Sequence, residues 1–167
     1  TGTPMPTARW HPAVGVIGGK LYVVGGCDSD LNVYNTMDIF DPVTNTWSMG
    51  APMPTARDRA ACGVIGSKLY VAGGRRGARG TAETFFSTLE IYDATTNTWA
   101  TGTSLPTPRQ APVGEVLNGK FYVLGGHNNT VGSMATVSIY DPDKNTWSAG
   151  TAMPAARNGL AAGVVGA

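Results

Sequence analysis

Apolar residues along the chain fall in short runs separated by turn-forming pairs. Ala13–Ile17 and Lys20–Val24 flank Gly18-Gly19, and the equivalent pairs further along are Gly66-Ser67 and Asn118-Gly119. Such pairs supply the positive φ angles of a type I′ hairpin turn, so each predicts two antiparallel strands. A third run lies near Thr36–Phe40, with counterparts at Thr88–Tyr92 and Thr136–Tyr140. It is followed by DPVTN, DATTN or DPDKN, segments rich in turn formers. A fourth short strand is predicted at Thr46–Met49, carrying Trp47. No helical period is sustained anywhere, which predicts an all-β chain with almost no helix.

The pattern repeats. Gly-Gly occurs at 25–26, 73–74 and 125–126, and Asn-Thr-Trp ends at Trp47, Trp99 and Trp147. An aspartate follows an aromatic at Asp41, Asp93 and Asp141, and an arginine after a Pro-containing stretch recurs at Arg9, Arg57, Arg109 and Arg157. From each of the first three arginines to the second glycine the distance is 17 residues, and from each aspartate to the next arginine it is 16. Only the stretch from Gly-Gly to Asp varies, at 15, 19 and 15. Three units therefore span 9–56, 57–108 and 109–156, with partial repeats at 1–8 and 157–167. Four-stranded antiparallel units at a period of about 50 residues are the signature of propeller blades.

The residues that carry the pattern are R-x(11)-LYVVGG, a variable loop, I-F-D-P-V-T-N-T-W and M-P-T-A-R in the first unit. They resemble the kelch repeat, over essentially the whole chain. The resemblance implies a β-propeller whose first strands lie nearest the axis, with Gly25-Gly26, Phe40 and Trp47 and their counterparts as signature residues. Recurrence at every unit marks Arg9, Arg57, Arg109 and Arg157 as scaffold, bonding loop carbonyls. The three tryptophans then fill space between blades. Lys20, Lys68 and Lys120, beside the tight turns, read as solvated charges.

Composition narrows the function classes. Of 167 residues, 12 are Lys or Arg and 11 are Asp or Glu, so no global basic field points to nucleic acid or an anionic membrane. No apolar run approaches the roughly 18 residues of a membrane span. Two cysteines, Cys27 and Cys62, make no disulfide framework. The absence of an initiator Met is consistent with removal of a leader or of a longer segment. The low charge and high Thr and Asn content would suit a bacterial secreted or surface protein, and equally a cytoplasmic one, so the compartment is unknown.

Strand parity puts all the variation on one face: the loops near 27–34, 75–86 and 127–135 and the connections between blades. Repeat proteins tend to bind through such a face. The longest of these loops, RRGARGTAETFF, carries Arg75, Arg76 and Arg79, with Arg59 nearby. Arginine forks suit carboxylate or phosphate, which predicts a site for an acidic peptide or small anion. The competing expectation is a solvated loop whose arginines pair with Asp28, Asp30 and Asp58. Trp10, His11, His127 and Asn128 complete the candidate binding residues, with Cys27 and Gln110 also non-recurring on this face. A metal site could be drawn from His11, Cys27 and His127, but their origin on different blades favours unrelated polar residues, and no cofactor or metal is expected. Asn128-Asn129-Thr130 is a glycosylation sequon, informative only in a secreted eukaryotic chain.

The expected function is a non-catalytic binding module for a protein segment or acidic ligand. The alternatives are a fragment of a kelch-family enzyme acting on a sugar or small molecule, and a purely structural propeller. Closed propellers have about 4–8 blades. Three blades leave apolar edges open, so completion is expected from a longer chain or from a homodimer forming a six-bladed ring, with a first strand of a fourth blade at 160–166.

Overall fold

The computed structural model describes residues 2–77 and 82–165. Three four-stranded antiparallel sheets follow one another. The first blade is β1 (Ala13–Ile17), β2 (Lys20–Val24), β3 (Met37–Asp41) and β4 (Thr46–Gly50). The second begins with β5 (Ala61–Ile65) and β6 (Lys68–Ala72). Its long loop forms a small hairpin, β7 (Arg75–Arg76) with β8 (Thr84–Phe85), before β9 (Leu89–Asp93) and β10 (Thr98–Gly102). The third has β11 (Val113–Leu117) and β12 (Lys120–Leu124), a hairpin of β13 (His127–Asn128) and β14 (Gly132–Ser133), then β15 (Val137–Asp141) and β16 (Thr146–Ala149). No helix occurs among the described residues.

Each third strand starts one residue later than its sequence predicts. Thr36 spends its carbonyl on Gly25 N and Arg9 instead of the ladder, and the pairing opens at Val24↔Met37. The first hairpins close in two ways. Gly18-Gly19 and Asn118-Gly119 have φ of 57° and 76°, and 50° and 70°, as a type I′ turn requires. In Gly66-Ser67 only Gly66 (φ 59°) is left-handed, which is the φ pattern of type II′. The strand expected at 160–166 is absent over its described part, 160–165.

The innermost strands β1, β5 and β11 stand side by side, and two apolar layers separate the blades. Tyr22, Val24 and Met37 pack on Leu69, Val71 and Tyr92, while Tyr70, Ala72 and Leu89 pack on Phe121, Val123 and Tyr140. Each fully buried Val, Leu, Met or Phe among them contributes about 1.5–3 kcal/mol. Close approach depends on Gly15 and Gly63: a Cβ there would lie 2.7 Å from Leu69 and Val64, or 2.8 Å from Phe121 and Val116. The tryptophans tie blade to blade, as Trp47, Trp99 and Trp147 donate Nε1–H to the carbonyls of Thr3, Ala51 and Thr103.

Three of the four recurring arginines, Arg9, Arg57 and Arg109, are buried scaffold, whereas Arg157, expected to match them, is exposed. Arg57 is 1% exposed, donates to the carbonyls of Gly73 (2.8 Å) and Thr88 (3.2 Å), and lies over the Phe86 ring. Arg9 does the same with Gly25 and Thr36, over Tyr34. Both contact a carboxylate on the third strand, Asp38 for Arg9 and Glu90 for Arg57. The lysines beside the turns are not simply solvated. Lys20, Lys68 and Lys120 reach Asp41, Asp93 and Asp141 at 3.1, 3.8 and 2.8 Å, while their side chains stay 43–49% exposed.

Candidate functional site at the propeller mouth

Two residues past each recurring arginine the backbone turns left-handed. His11, Arg59, Ala111 and Gly159 have φ of 51°, 53°, 49° and 62°. They are joined in sequence order: Arg59 N donates to His11 O (3.1 Å), Ala111 N to Arg59 O (2.8 Å) and Gly159 N to Ala111 O (2.9 Å). One residue earlier, Trp10, Asp58 and Gln110 each make an antiparallel bridge to the residue after their own blade's Gly-Gly, namely Cys27, Arg75 and His127. The Gly-Gly pairs permit the approach of the next blade. Gly26 (φ 88°) donates to Arg57 O at 3.0 Å, and a Cβ on Gly25 (φ 69°) would lie 2.6 Å from that same oxygen. Backbone bonds alone thus set a ring of variable side chains around a mouth. The cavity there has about 590 Å³, with His11, Arg59, Gln110, Asn158 and Leu160 in its wall.

The expected binding residues divide sharply. Arg59 is on the wall, with its side chain 28% exposed and Nη1 on Gln110 Oε1 at 3.2 Å. His11 and Trp10 stand exposed at the rim, Trp10 at 56%, and Arg76 is exposed on β7. Arg75 differs from its expected role: it is buried, its Nε is 3.2 Å from Asp58 Oδ1, and Nη1 pairs with Glu83. Its charge is consumed inside the protein, as the competing expectation held for Asp58. Asn128 is likewise taken up, because it is buried, its Nδ2 donates to Pro108 O, and its Oδ1 accepts from Thr130 and Val131. An amide so held and buried presents little to a ligand or to a glycan. His127 is half-buried and edge-on to Phe85 at 6.4 Å; its buried Nδ1 finds no partner among the described residues. Arg79 lies outside the described residues. Asp28, expected near the arginines, instead caps its own turn through Asp30 N and Asn32 N.

Neighbouring charge and burial tune two groups at the mouth. Burial, helped by the Arg59 guanidinium, lowers the His11 pKa and favours a neutral imidazole. Burial and the hydrogen bond to Asp58 push the Cys27 thiol up to about 11, so it is the donor in a 3.3 Å contact with Asp58 Oδ2. Asp58 is the residue whose importance the sequence concealed. It is 1% exposed and joins Cys27, Arg75 and Arg59. The one signal for it is positional, since Trp10, Asp58, Gln110 and Asn158 occupy one recurring place with four different side chains.

The architecture agrees with known proteins. The solved structure of YjhT superposes over 92% of this chain with a TM-score of 0.77, at 21% identity, and this chain covers 54% of it. The F-box/kelch-repeat protein At1g67480 of Arabidopsis thaliana is 33% identical over 135 residues, which are 78% of this chain and 35% of that protein. The kelch-like protein terF of Aspergillus terreus is 30% identical over 123 residues, 73% of this chain and 27% of its own length. A shorter stretch of 46 residues is 48% identical to the Arabidopsis F-box/kelch-repeat protein At4g39550, covering 28% of this chain and 12% of that one. The chain thus spans about a third or less of these curated relatives. The family model described as the KLHDC2/KLHL20/DRC7 Kelch-repeats domain matches residues 1–167. With that match from end to end and three successive blades built alike, the chain belongs to the kelch-repeat family.

Proposed function

We propose that this chain is part of a non-catalytic protein-binding propeller that takes an acidic segment of its partner at the mouth. One observation carries the reading. Of the arginines near the mouth, Arg9, Arg57, Arg109 and Arg75 are buried in the scaffold, whereas Arg59 and Arg76 keep accessible charge at non-recurring positions. In the cavity wall with Arg59 the amides of Gln110 and Asn158 supply hydrogen-bond donors, and Trp10 presents an exposed indole on the same face, the mixture common at interface anchors. Kelch and F-box/kelch relatives, read as binding proteins, point the same way.

The ring is completed by further blades. Val14 and Val16 are 42% and 59% exposed on β1, where Cys62 and Val64 of the second blade meet the first. Blades of a longer chain fit better than a second copy in the same packing. At the place of Gly15 and Gly63 the third blade carries Glu115. A first blade docking there as the second docks on the first would press Leu21 and Val16 against a carboxylate.

The test uses the purified chain and a library of immobilised acidic and neutral peptides, with Arg59→Glu and Arg76→Glu. Charge reversal should abolish retention of the acidic set, and binding should fall with added salt. A partner retained equally by both variants would overturn the acidic-segment reading. Light scattering giving a dimer mass would favour the second copy.

A further inference from the structure

Near Arg59 lie three side chains of a different chemistry from the arginines. His11, Cys27 and Asp58 each offer one ligating atom, and these atoms lie within 4.8 Å of one another. Their positions are set by backbone bonds. The carbonyl of His11 accepts from Arg59 N, Cys27 exchanges both backbone bonds with Trp10 (2.8 and 3.0 Å), and Asp58 exchanges both with Arg75 (3.0 Å each). Cys27 is fully buried, Asp58 is 1% exposed, and His11 stands exposed at the rim, where the cavity gives a path from solvent.

The Asp58 carboxylate is divided between two roles. Oδ1 accepts from Arg75 Nε at 3.2 Å, while Oδ2 faces Cys27 Sγ at 3.3 Å. An outer partner that fixes one oxygen and aims the other is the usual support of a ligating carboxylate. The sulfur–oxygen separation suits an ion between them. With Zn–S of about 2.3 Å and Zn–O of about 2.0 Å, two corners of a tetrahedron lie about 3.5 Å apart. The exposed imidazole is the side chain free to swing in and close the remaining gap.

We propose that His11, Cys27 and Asp58 form a binding site for a borderline divalent transition-metal ion of the zinc class, with the fourth position open to the mouth. A nitrogen, a sulfur and one carboxylate oxygen match that class, whereas calcium and magnesium require shells of oxygen. Binding replaces the hydrogen shared by Cys27 and Asp58, and the thiol proton leaves to solvent. The cations near the site are Arg75, which is paired with Glu83 as well, and Arg59, whose Nε is 3.8 Å from Asp58 Oδ2. Arg59 already turns its Nη1 toward Gln110, away from the cluster.

Cobalt titration of the reduced, chelator-treated chain tests the site. One equivalent of Co²⁺ should give visible d–d bands and a near-ultraviolet thiolate-to-metal band, and Zn²⁺ should displace both. Cys27→Ser should remove the thiolate band. His11→Ala, at an exposed rim position that leaves the core intact, should weaken binding at least tenfold, and Arg59→Gln should tighten it. Cys62→Ser should change nothing. A folded wild-type chain without these bands overturns the site. So do bands that survive Cys27→Ser, or bands that respond to Cys27 while His11→Ala and Asp58→Asn leave affinity unchanged. Because the readout is metal affinity, it is independent of whether an acidic segment binds.

Discussion

The second and third blades hold the same arginine in the same pocket with different company. Arg57 and Arg109 are each 1% exposed, and each donates to the carbonyl of its own blade's first Gly-Gly residue. Arg57 has the Glu90 carboxylate 2.7 Å from Nη2, a buried ion pair at hydrogen-bond distance. In the third blade Ser138 occupies Glu90's place, and no carboxylate among the described residues pairs with Arg109, whose Nη1 bonds Thr136 Oγ1 at 2.8 Å. Burial lowers the pKa of both, and in Arg57 the Glu90 charge works against that shift. Arg157 is exposed. The pocket is therefore made by carbonyl oxygens, and the carboxylate is an addition that one blade does without.

Four measurements test this contrast. The largest effect belongs to Glu90→Gln, which strands a buried cation and should cost about 3–5 kcal/mol in urea unfolding. If it costs no more than Ser138→Ala, the carboxylate is not what balances Arg57. Ser138→Asp, which gives Arg109 the partner that Arg9 has in Asp38, should stabilise by about 1 kcal/mol; destabilisation would show that the third blade has no room for the pair. Arg157→Ala should leave stability within about 0.5 kcal/mol, and a larger loss would reveal a pocket that the exposure of Arg157 conceals. The smallest effect concerns the turn aspartates. Asp41, Asp93 and Asp141 are held below the usual carboxylate range, through hydrogen bonds to Lys20, Thr95 and Lys120 respectively. A lowered folded pKa gives stability that is present above about pH 4 and lost as pH falls through the folded value. Denaturation midpoints at stepped pH should show one shallow acid loss, and Asp→Asn at any of the three should reduce it equally. Unequal effects would mean the blades differ in their turns as well.

The blades were legible in the sequence because each strand answers to neighbours a few residues away. Gly18-Gly19 reports its own hairpin, and Trp47 marks the last strand wherever it recurs. The scaffold role of Arg9, Arg57 and Arg109 was also legible from recurrence, although recurrence pointed equally to Arg157, which is exposed. What the sequence hid is contact between units. Arg59 and Arg75 look alike in an arginine-rich stretch, yet one lines the mouth and the other is buried on Asp58. Cys27 and Asp58 are 31 residues apart and meet because the residue after Gly-Gly lies against the next blade's rim. His127, two blades further on, occupies the same structural place as Cys27 and is thereby kept away from His11. Spacing within a repeat says nothing of which variable positions in different repeats become neighbours.

The left-handed rim has a consequence for binding entropy. His11, Arg59 and Ala111 sit in a backbone conformation that side chains other than glycine seldom adopt, held there by neighbour-to-neighbour hydrogen bonds. That strain is met once, on folding, so an incoming partner has no loop to order around these residues. Each rim position is a fixed socket in which the side chain can be exchanged while its direction stays the same. β-branched residues are the ones this backbone least tolerates. Recognition can therefore change by one substitution at a time, without the blades being rebuilt.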